Sequence, residues 1–179
     1  MMSNYLSLLR IIKELLQYPD HDYMERLNEI LKNMQNCNEC GHVRAFIEGI
    51  KGYEIYDLQQ LYVKTFDLSP KTNMYITYHI YGNDKWRGRA LAMFLSLYHK
   101  YGYRVREGEL PDNLLTFLDF LTNVGIHEEA EPIIKLTVKA VSKVYYNLHR
   151  DNNPYHPLFK ALREVLINIE KNIRTNQVQ

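Results

Sequence analysis

Residues 61–91 read LYVKTFDLSPKTNMYITYHIYGNDKWRGRAL, a run of helical segments separated by two turns. Asp67, Ser69 and Pro70 mark the first turn, and the Gly-Asn-Asp sequence at 82–84 marks the second. Aromatic rings recur at spacings near three and four, which places most of them on a shared helical face. They are Tyr62, Phe66, Tyr75, Tyr78, His79, Tyr81 and Trp86. Because few catalytic residue types accompany these rings, the pattern favours a peptide-binding surface over an active site.

The helical period continues on both sides of this stretch. Before it, apolar spacing predicts a helix that ends before Pro19, one through residues 27–34, one that ends at Gly52 and one over about 54–66. From the stretch onward it predicts helices over about 73–81, from 90 to before Gly102, over 114–123, over about 128–148 and after Pro157. No segment has the pattern of a strand. The predicted fold is therefore all-α, a helical bundle of about nine helices.

The chain has 179 residues, a length that fits one domain with a substantial core. We expect a single all-helical domain over 1–179, interrupted by a polar central loop near 102–112. A polar tail near 174–179 is expected to fray. No internal repeat divides the chain.

Charge and composition narrow the class of partner. Lysine plus arginine number 22 and aspartate plus glutamate 21, so the formal net charge is +1. Nothing in this balance indicates binding to nucleic acid or to a charged membrane surface. The fifteen tyrosines suit half-buried grooves and interfaces, because each ring is apolar and ends in a hydrogen-bonding group.

The N-terminal apolar run contains Arg10, Lys13 and Glu14, so no secretory signal is expected there. The longest nearly uncharged stretch, residues 113–126, includes Asp119 and is shorter than the roughly 20 apolar residues that cross a bilayer. The expected location is cytoplasmic, without stable insertion in a membrane.

Cys37 and Cys40, separated by two residues, could bind zinc or cycle as a dithiol. They are the only cysteines, and His42 and His21 could complete four zinc ligands only if the fold brought them close. The favoured interpretation is an interhelical turn with two ordinary thiols. A dithiol enzyme that uses the pair is kept as an alternative.

The remaining polar residues do not form a recognisable catalytic set. The seven histidines are scattered, without the helical pair of zinc proteases. His79 could donate a hydrogen bond to a peptide carbonyl or respond to pH near neutrality, although a structural role is favoured for it alone. Asp67, Glu109 and Asp112 lack an accompanying nucleophile, metal set or phosphate-binding loop. We expect no catalytic residue, no bound metal and no cofactor in this chain.

Four motifs carry a resemblance to a known family: YVKTFDL at 62–68, TYHIYG at 77–82, RGRAL at 87–91 and GELPDNL at 108–114. Together they closely resemble the NarJ family, the delta-subunit chaperones of respiratory nitrate reductase. The family is similar in architecture to the TorD and DmsD types of redox-enzyme chaperone, which are all-α and have no catalytic activity. Where that wider group often has a histidine after the aspartate of its acidic motif, this chain has Asn113, so a histidine-dependent role does not carry over.

The resemblance implies a system-specific chaperone. Its partner would be the apo catalytic subunit of a molybdenum oxidoreductase, bound through the N-terminal peptide of that subunit. The client, and not the chaperone, would carry the bis-molybdopterin guanine dinucleotide cofactor. Binding would keep the client competent for cofactor insertion and delay membrane docking or export. Nitrate reductase is the nearest resemblance, while related perchlorate, selenate, dimethyl sulfide and ethylbenzene oxidoreductases stay open as clients.

The expected mechanism is burial of one face of the client helix in an apolar groove, with acidic side chains at the rim choosing its basic end. Candidates for a hinge that changes the width of this groove are Arg87 and Arg89 beside Gly88, and the loop over 102–112. The predicted peptide-binding residues are Tyr62, Phe66, Tyr75, Tyr78, His79, Tyr81, Arg87, Glu109 and Asp112. A third interpretation is a scaffold subunit that stays in the mature reductase complex.

Overall fold

The computed structural model describes residues 2–34 and 39–177. Within these ranges nine α-helices and no strand are present, which confirms the all-α prediction. The helices are α1 (Met2–Leu15), α2 (Tyr23–Asn33), α3 (Cys40–Ile50), α4 (Ile55–Tyr62), α5 (Ile76–Tyr81), α6 (Trp86–Lys100), α7 (Leu114–Val124), α8 (Glu131–Arg150) and α9 (His156–Gln177). A π-helical turn (Val63–Asp67) follows α4, and a 3₁₀ turn (Glu128–Ala130) precedes α8.

The two longest helices, α8 and α9, form the most extensive helix pair of the bundle. Helix α3 packs on α9, α1 contacts both α7 and α9, and α5 packs against α8. A fully buried apolar stripe on α9 repeats at helical spacing and faces these neighbours. It consists of Leu158, Phe159, Leu162, Val165, Leu166, Ile169 and Ile173. One hydrophobic core therefore runs through the bundle, and α9 lies at its centre.

Local residue chemistry sets the helix ends. Gly82 and Gly102 follow α5 and α6 with φ of 56° and 67°, a backbone region that glycine enters without steric cost. The side chain of Asn113 caps α7 by accepting a hydrogen bond from the backbone N–H of Leu115 at 2.8 Å. Helix α9 continues to Gln177, through residues 174–177 of the predicted tail.

Two predicted helices differ from those in the structure. The helix expected over 54–66 is regular only to Tyr62 and then widens into the π turn, where the N–H of Leu68 donates to the carbonyl of Val63 at 3.0 Å. The helix expected from 73 begins at Ile76, because Tyr75 is extended and forms a single antiparallel bridge with Asn113. Both irregularities lie in the stretch that carries most of the candidate site.

Candidate functional site

Two of the motifs that were distant in sequence meet in the fold. The backbone N–H of Ile76 donates to the carbonyl of Asp112 at 2.9 Å, and the N–H of Leu114 donates to the carbonyl of Met74 at 2.7 Å. These two bonds flank the bridge between Tyr75 and Asn113. The GELPDNL loop is therefore fixed beside the start of α5.

Asp112 lies in the interior and not at a rim, contrary to the sequence expectation, since none of its surface is exposed. Its Oδ2 accepts hydrogen bonds from the backbone N–H of Thr77 at 2.9 Å and from the Thr77 hydroxyl. Arg87 Nη2 lies 3.9 Å from the same oxygen. Asp112 therefore holds the loop on α5 and cannot offer a surface charge to a peptide in this conformation.

Arg87 connects the start of α6 to α5. Its Nε donates to the Thr77 hydroxyl oxygen at 3.1 Å, and its guanidinium lies 5.7 Å from the centre of the Tyr78 ring. With the ion pair to Asp112, these contacts place Arg87 behind Tyr78 as a support for the aromatic surface.

The first surface depression of interest has a volume of about 490 Å³ and lies beside the π turn. It is lined by Phe66, Asp67, Leu68, Ser69, Pro70, Asn73, Tyr75 and Tyr78. Burial, and then the negative charge of Glu109, raise the pKa of Tyr75. Burial also raises the pKa of Asp67. Three of the predicted peptide-binding residues thus line one depression, and Glu109 lies close to one of them.

A second depression, of about 590 Å³, lies along the exposed side of α4. It is lined by Tyr18, Tyr56, Asp57, Gln59, Gln60, Leu61, Val63, Lys64 and Leu68. Leu68 lines both depressions, so they adjoin at this side chain, and we call the two together the tyrosine groove. Leu68 is 75% exposed and Tyr56 is 65% exposed, both high for large apolar side chains.

Tyr18, Tyr56 and Leu68 are not among the peptide-binding residues predicted from sequence. A signal was present for two of them, because Tyr18 directly precedes Pro19 and Leu68 lies two residues before Pro70. The residues before a proline disfavour helix, so Tyr18 and Leu68 lie outside the helical apolar stripes that bury their neighbours.

Tyr62 and Phe66 belong to the core and not to an open face. The Phe66 ring lies 4.8 Å from the ring of Tyr155 and 5.8 Å from that of Phe159, and Tyr62 lies 5.0 Å from Phe66. Tyr18 packs edge-on against Tyr62 at 5.4 Å. Tyr62 and Phe66 therefore support the groove from below, and of these two only Phe66 is in its lining.

His79 is engaged inside the protein. Its Nε2 lies 2.7 Å from the carbonyl oxygen of Asn73, which can only accept, so the imidazole donates this bond. Burial lowers the pKa of His79. The backbone carbonyl of His79 accepts from Lys143 Nζ at 2.6 Å. Because the Nε2 proton of His79 is donated to Asn73, that nitrogen is not available to donate to a client. Tyr81, another predicted peptide-binding residue, is absent from the linings of both depressions.

Glu109 borders a third, more polar depression of about 350 Å³, which also includes Arg104 and Arg106. In its wall the Nζ of Lys13 lies 2.6 Å from Asp119, and the Tyr103 hydroxyl donates to the same carboxylate at 2.9 Å. Burial would raise the pKa of Asp119, but these two partners outweigh it and lower the pKa. Lys13, Tyr103 and Asp119 of this wall are thus paired with one another.

The described residues include no group of three or more histidine, cysteine, aspartate or glutamate side chains that could hold a metal ion. Cys37 lies outside the described residues, so the Cys37–Cys40 hypothesis is not tested, and Cys40 is buried at the start of α3. Across residues 2–34 and 39–177, every helix is too short or too polar to span a bilayer.

Comparison of the sequence with known proteins identifies the family of this chain. A family model described as the nitrate reductase delta subunit matches residues 22–161. The probable nitrate reductase molybdenum cofactor assembly chaperone NarJ of Bacillus subtilis is 30% identical over 158 residues, covering 87% of this chain and 85% of that protein. NarJ of Escherichia coli K12 is 27% identical over 159 residues, covering 86% and 67%. The probable chaperone NarW of the same strain is 22% identical over 160 residues, covering 89% and 68%. The chain belongs to the nitrate reductase delta subunit family.

Proposed function

We propose that this protein is a maturation chaperone for a molybdenum oxidoreductase of the nitrate reductase type, and that it has no catalytic activity of its own. The names of the relatives from Bacillus subtilis and Escherichia coli support the maturation role. The client would be the apo catalytic subunit, held in the cytoplasm through its N-terminal segment until its cofactor is inserted. The cofactor belongs to the client, and no residue of this chain is assigned to it.

The tyrosine groove is the observation that carries the peptide-binding part of this proposal. Tyr56 and Leu68 are twelve residues apart along α4 and the π turn, a distance of no more than about 18 Å. About three turns of a client helix would cover that length. Such a helix could place apolar side chains on either side of Leu68, which stands between the two depressions.

Charge favours a basic client segment. Asp57 and Asp67 lie in the lining, and Glu109 is close enough to Tyr75 to raise the pKa of its hydroxyl. Lys64 is the one basic side chain in the two linings. Acidic groups at the margin of an apolar groove add specificity and speed of association more than affinity, which fits a chaperone that must later release its client.

The decisive experiment is calorimetric titration with a synthetic peptide of about 15–30 residues from the N-terminus of the client catalytic subunit. Tyr56→Ala removes an exposed ring from the groove, and Tyr146→Ala removes a ring of similar exposure (59% against 65%) from α8, outside both linings. We expect saturable binding that Tyr56→Ala weakens by about tenfold or more, because burial of such a side chain contributes roughly 1.5–3 kcal/mol. Tyr146→Ala should change the affinity by less than about twofold.

Equal effects of the two substitutions would remove the groove from the proposal. Absence of binding, together with stoichiometric retention of this chain in the purified mature reductase, would favour the scaffold subunit. Loss of client maturation after Cys37→Ser or Cys40→Ser, with peptide binding intact, would favour the dithiol enzyme.

A further inference from the structure

Helix α6 leaves large apolar side chains uncovered on the outside of the bundle. Trp86, Met93 and Leu95 are each about half exposed, although Ala90, Phe94 and Leu97 of the same helix are buried. None of these three exposed residues lines the tyrosine groove. We call the outward side of α6, from Lys85 to His99, the α6 face. It is an unpartnered helix surface separate from the proposed peptide site.

The charge of the α6 face has one sign. From Lys85 to His99 the sequence contains one lysine, two arginines and no acidic residue, and of these Arg87 is turned inward to Asp112, which leaves Lys85 and Arg89 as the cations of the face. Asp84 comes just before this run, and its side chain accepts the N–H of Trp86 at 2.9 Å. In the described part of the chain neither Lys85 nor Arg89 forms an ion pair. The face is therefore apolar and cationic together.

The arrangement of these groups is particular. At about 100° per residue, Leu95 and Met93 lie about 160° apart, on opposite edges of the exposed half of α6. Between them lie Arg89 and the small residues Ala92 and Ser96, all exposed. The Arg89 guanidinium lies 4.3 Å from the centre of the Trp86 ring at one edge of the α6 face. Apolar edges with a small, cationic centre match the width of one helix laid along α6.

We infer that the α6 face binds an acidic amphipathic helix of a partner protein. The apolar side chains of that helix would pack against Met93 and Leu95, and its carboxylates would meet Lys85 and Arg89. The positive end of the α6 dipole lies beside these two cations and adds to the preference for acid.

Two other occupants fit the same face less well. A second copy of this chain laid parallel on the face would oppose Lys85 and Arg89 to the same two cations, and one laid antiparallel would offer them no carboxylate from α6, which has no acidic residue. An anionic lipid surface suits a helix with a continuous apolar strip between flanking cations. On the α6 face the positions of apolar and cationic groups are exchanged, because the cation Arg89 lies between the apolar edges.

Trp86 is the only tryptophan of the chain, so its emission reports on this face directly. The probe is a synthetic helix of about 18 residues with leucine on one side and glutamate on the other, and the control peptide has lysine in place of each glutamate. The glutamate peptide should shift Trp86 emission to shorter wavelength, and its affinity should fall between about 50 and 200 mM salt. Arg89→Glu should weaken this binding by about tenfold or more.

Lys139→Glu, at an exposed position on α8, changes the net charge by the same amount and should alter the affinity by less than about twofold. The inference is overturned if the lysine peptide binds equally well, or if Lys139→Glu has the same effect as Arg89→Glu. It is also overturned if vesicles with about 30% phosphatidylglycerol shift the Trp86 emission and the glutamate peptide does not.

Discussion

The α8–α9 pair and residues 53–82 use helical sequence in different ways. In α8 and α9 the apolar stripe is regular and buried, and among the described side chains only Tyr146 is a large exposed apolar residue. Residues 53–82 are interrupted by a π turn and an extended residue, and they leave Tyr53, Tyr56 and Leu68 exposed. The α8–α9 pair stabilises the bundle. In residues 53–82 the helices are irregular, and apolar side chains remain exposed on the surface.

The comparison also separates residues that look alike in sequence. Phe66 and Tyr75 are both aromatic members of the same stretch, yet Phe66 packs on the rings of α9 and Tyr75 lines a depression beside Glu109. Substitutions in the two regions should therefore separate effects on stability from effects on binding.

The largest expected effect is on the core side of the comparison. Phe159→Ala should lower the free energy of unfolding by about 3–5 kcal/mol, because Phe159 is buried and stacks on Phe66 beneath the groove. Urea denaturation followed by circular dichroism measures this, and Tyr146→Ala in the same helix pair serves as the exposed control. A decrease in the free energy of unfolding of less than about 1 kcal/mol would show that packing of α9 in the core is not a main source of stability.

The two acidic residues of the GELPDNL loop, Asp112 and Glu109, separate a structural role from a binding role within one loop. Asp112→Ala removes the acceptor of two bonds from Thr77 and should lower the free energy of unfolding by about 2 kcal/mol. Glu109→Ala, at a partly exposed position, should cost less than about 0.5 kcal/mol and weaken client-peptide binding in a salt-dependent way. Parallel denaturation and calorimetry measure both. Equal stability losses would mean that the buried position of Asp112 has no structural role.

The smallest effect expected is on pH dependence. The pKa of His79 is lowered by burial from an unfolded value near 6.5, so the folded chain binds this proton less readily than the unfolded chain. Stability from this group is complete above about pH 6.5 and declines as pH falls toward the folded pKa. His79→Gln should reduce the loss of stability between about pH 7.5 and 5.5. It should not abolish that loss, because burial also lowers the pKa of His156.

His99→Gln, at an exposed position on α6, is the matched control for this titration. An unchanged pH slope in His79→Gln would indicate that burial of the imidazole does not disfavour its protonated form in the fold.

Helical periodicity predicted the fold well because each helix that packs on the core shows its buried stripe directly in sequence. The turns at Gly82 and Gly102 were also predictable, because glycine commonly ends helices by adopting positive φ, as it does at both positions. The extended conformation of Tyr75 was not visible, because its cause is a partner 38 positions away at Asn113. The interior position of Asp112 was hidden for the same reason, since the bonds that make its burial tolerable come from α5.

The bridge between Tyr75 and Asn113 also bears on the order in which the chain folds. It closes a loop that contains the whole of α6, and a contact of that separation has a higher entropic cost than the local contacts within a helix, so we expect it to form later than they do. The wall of the groove that contains Tyr75 should therefore be completed late, after α6 has formed. A newly made or partly unfolded copy would lack that wall, so binding competence would be a property of the finished bundle.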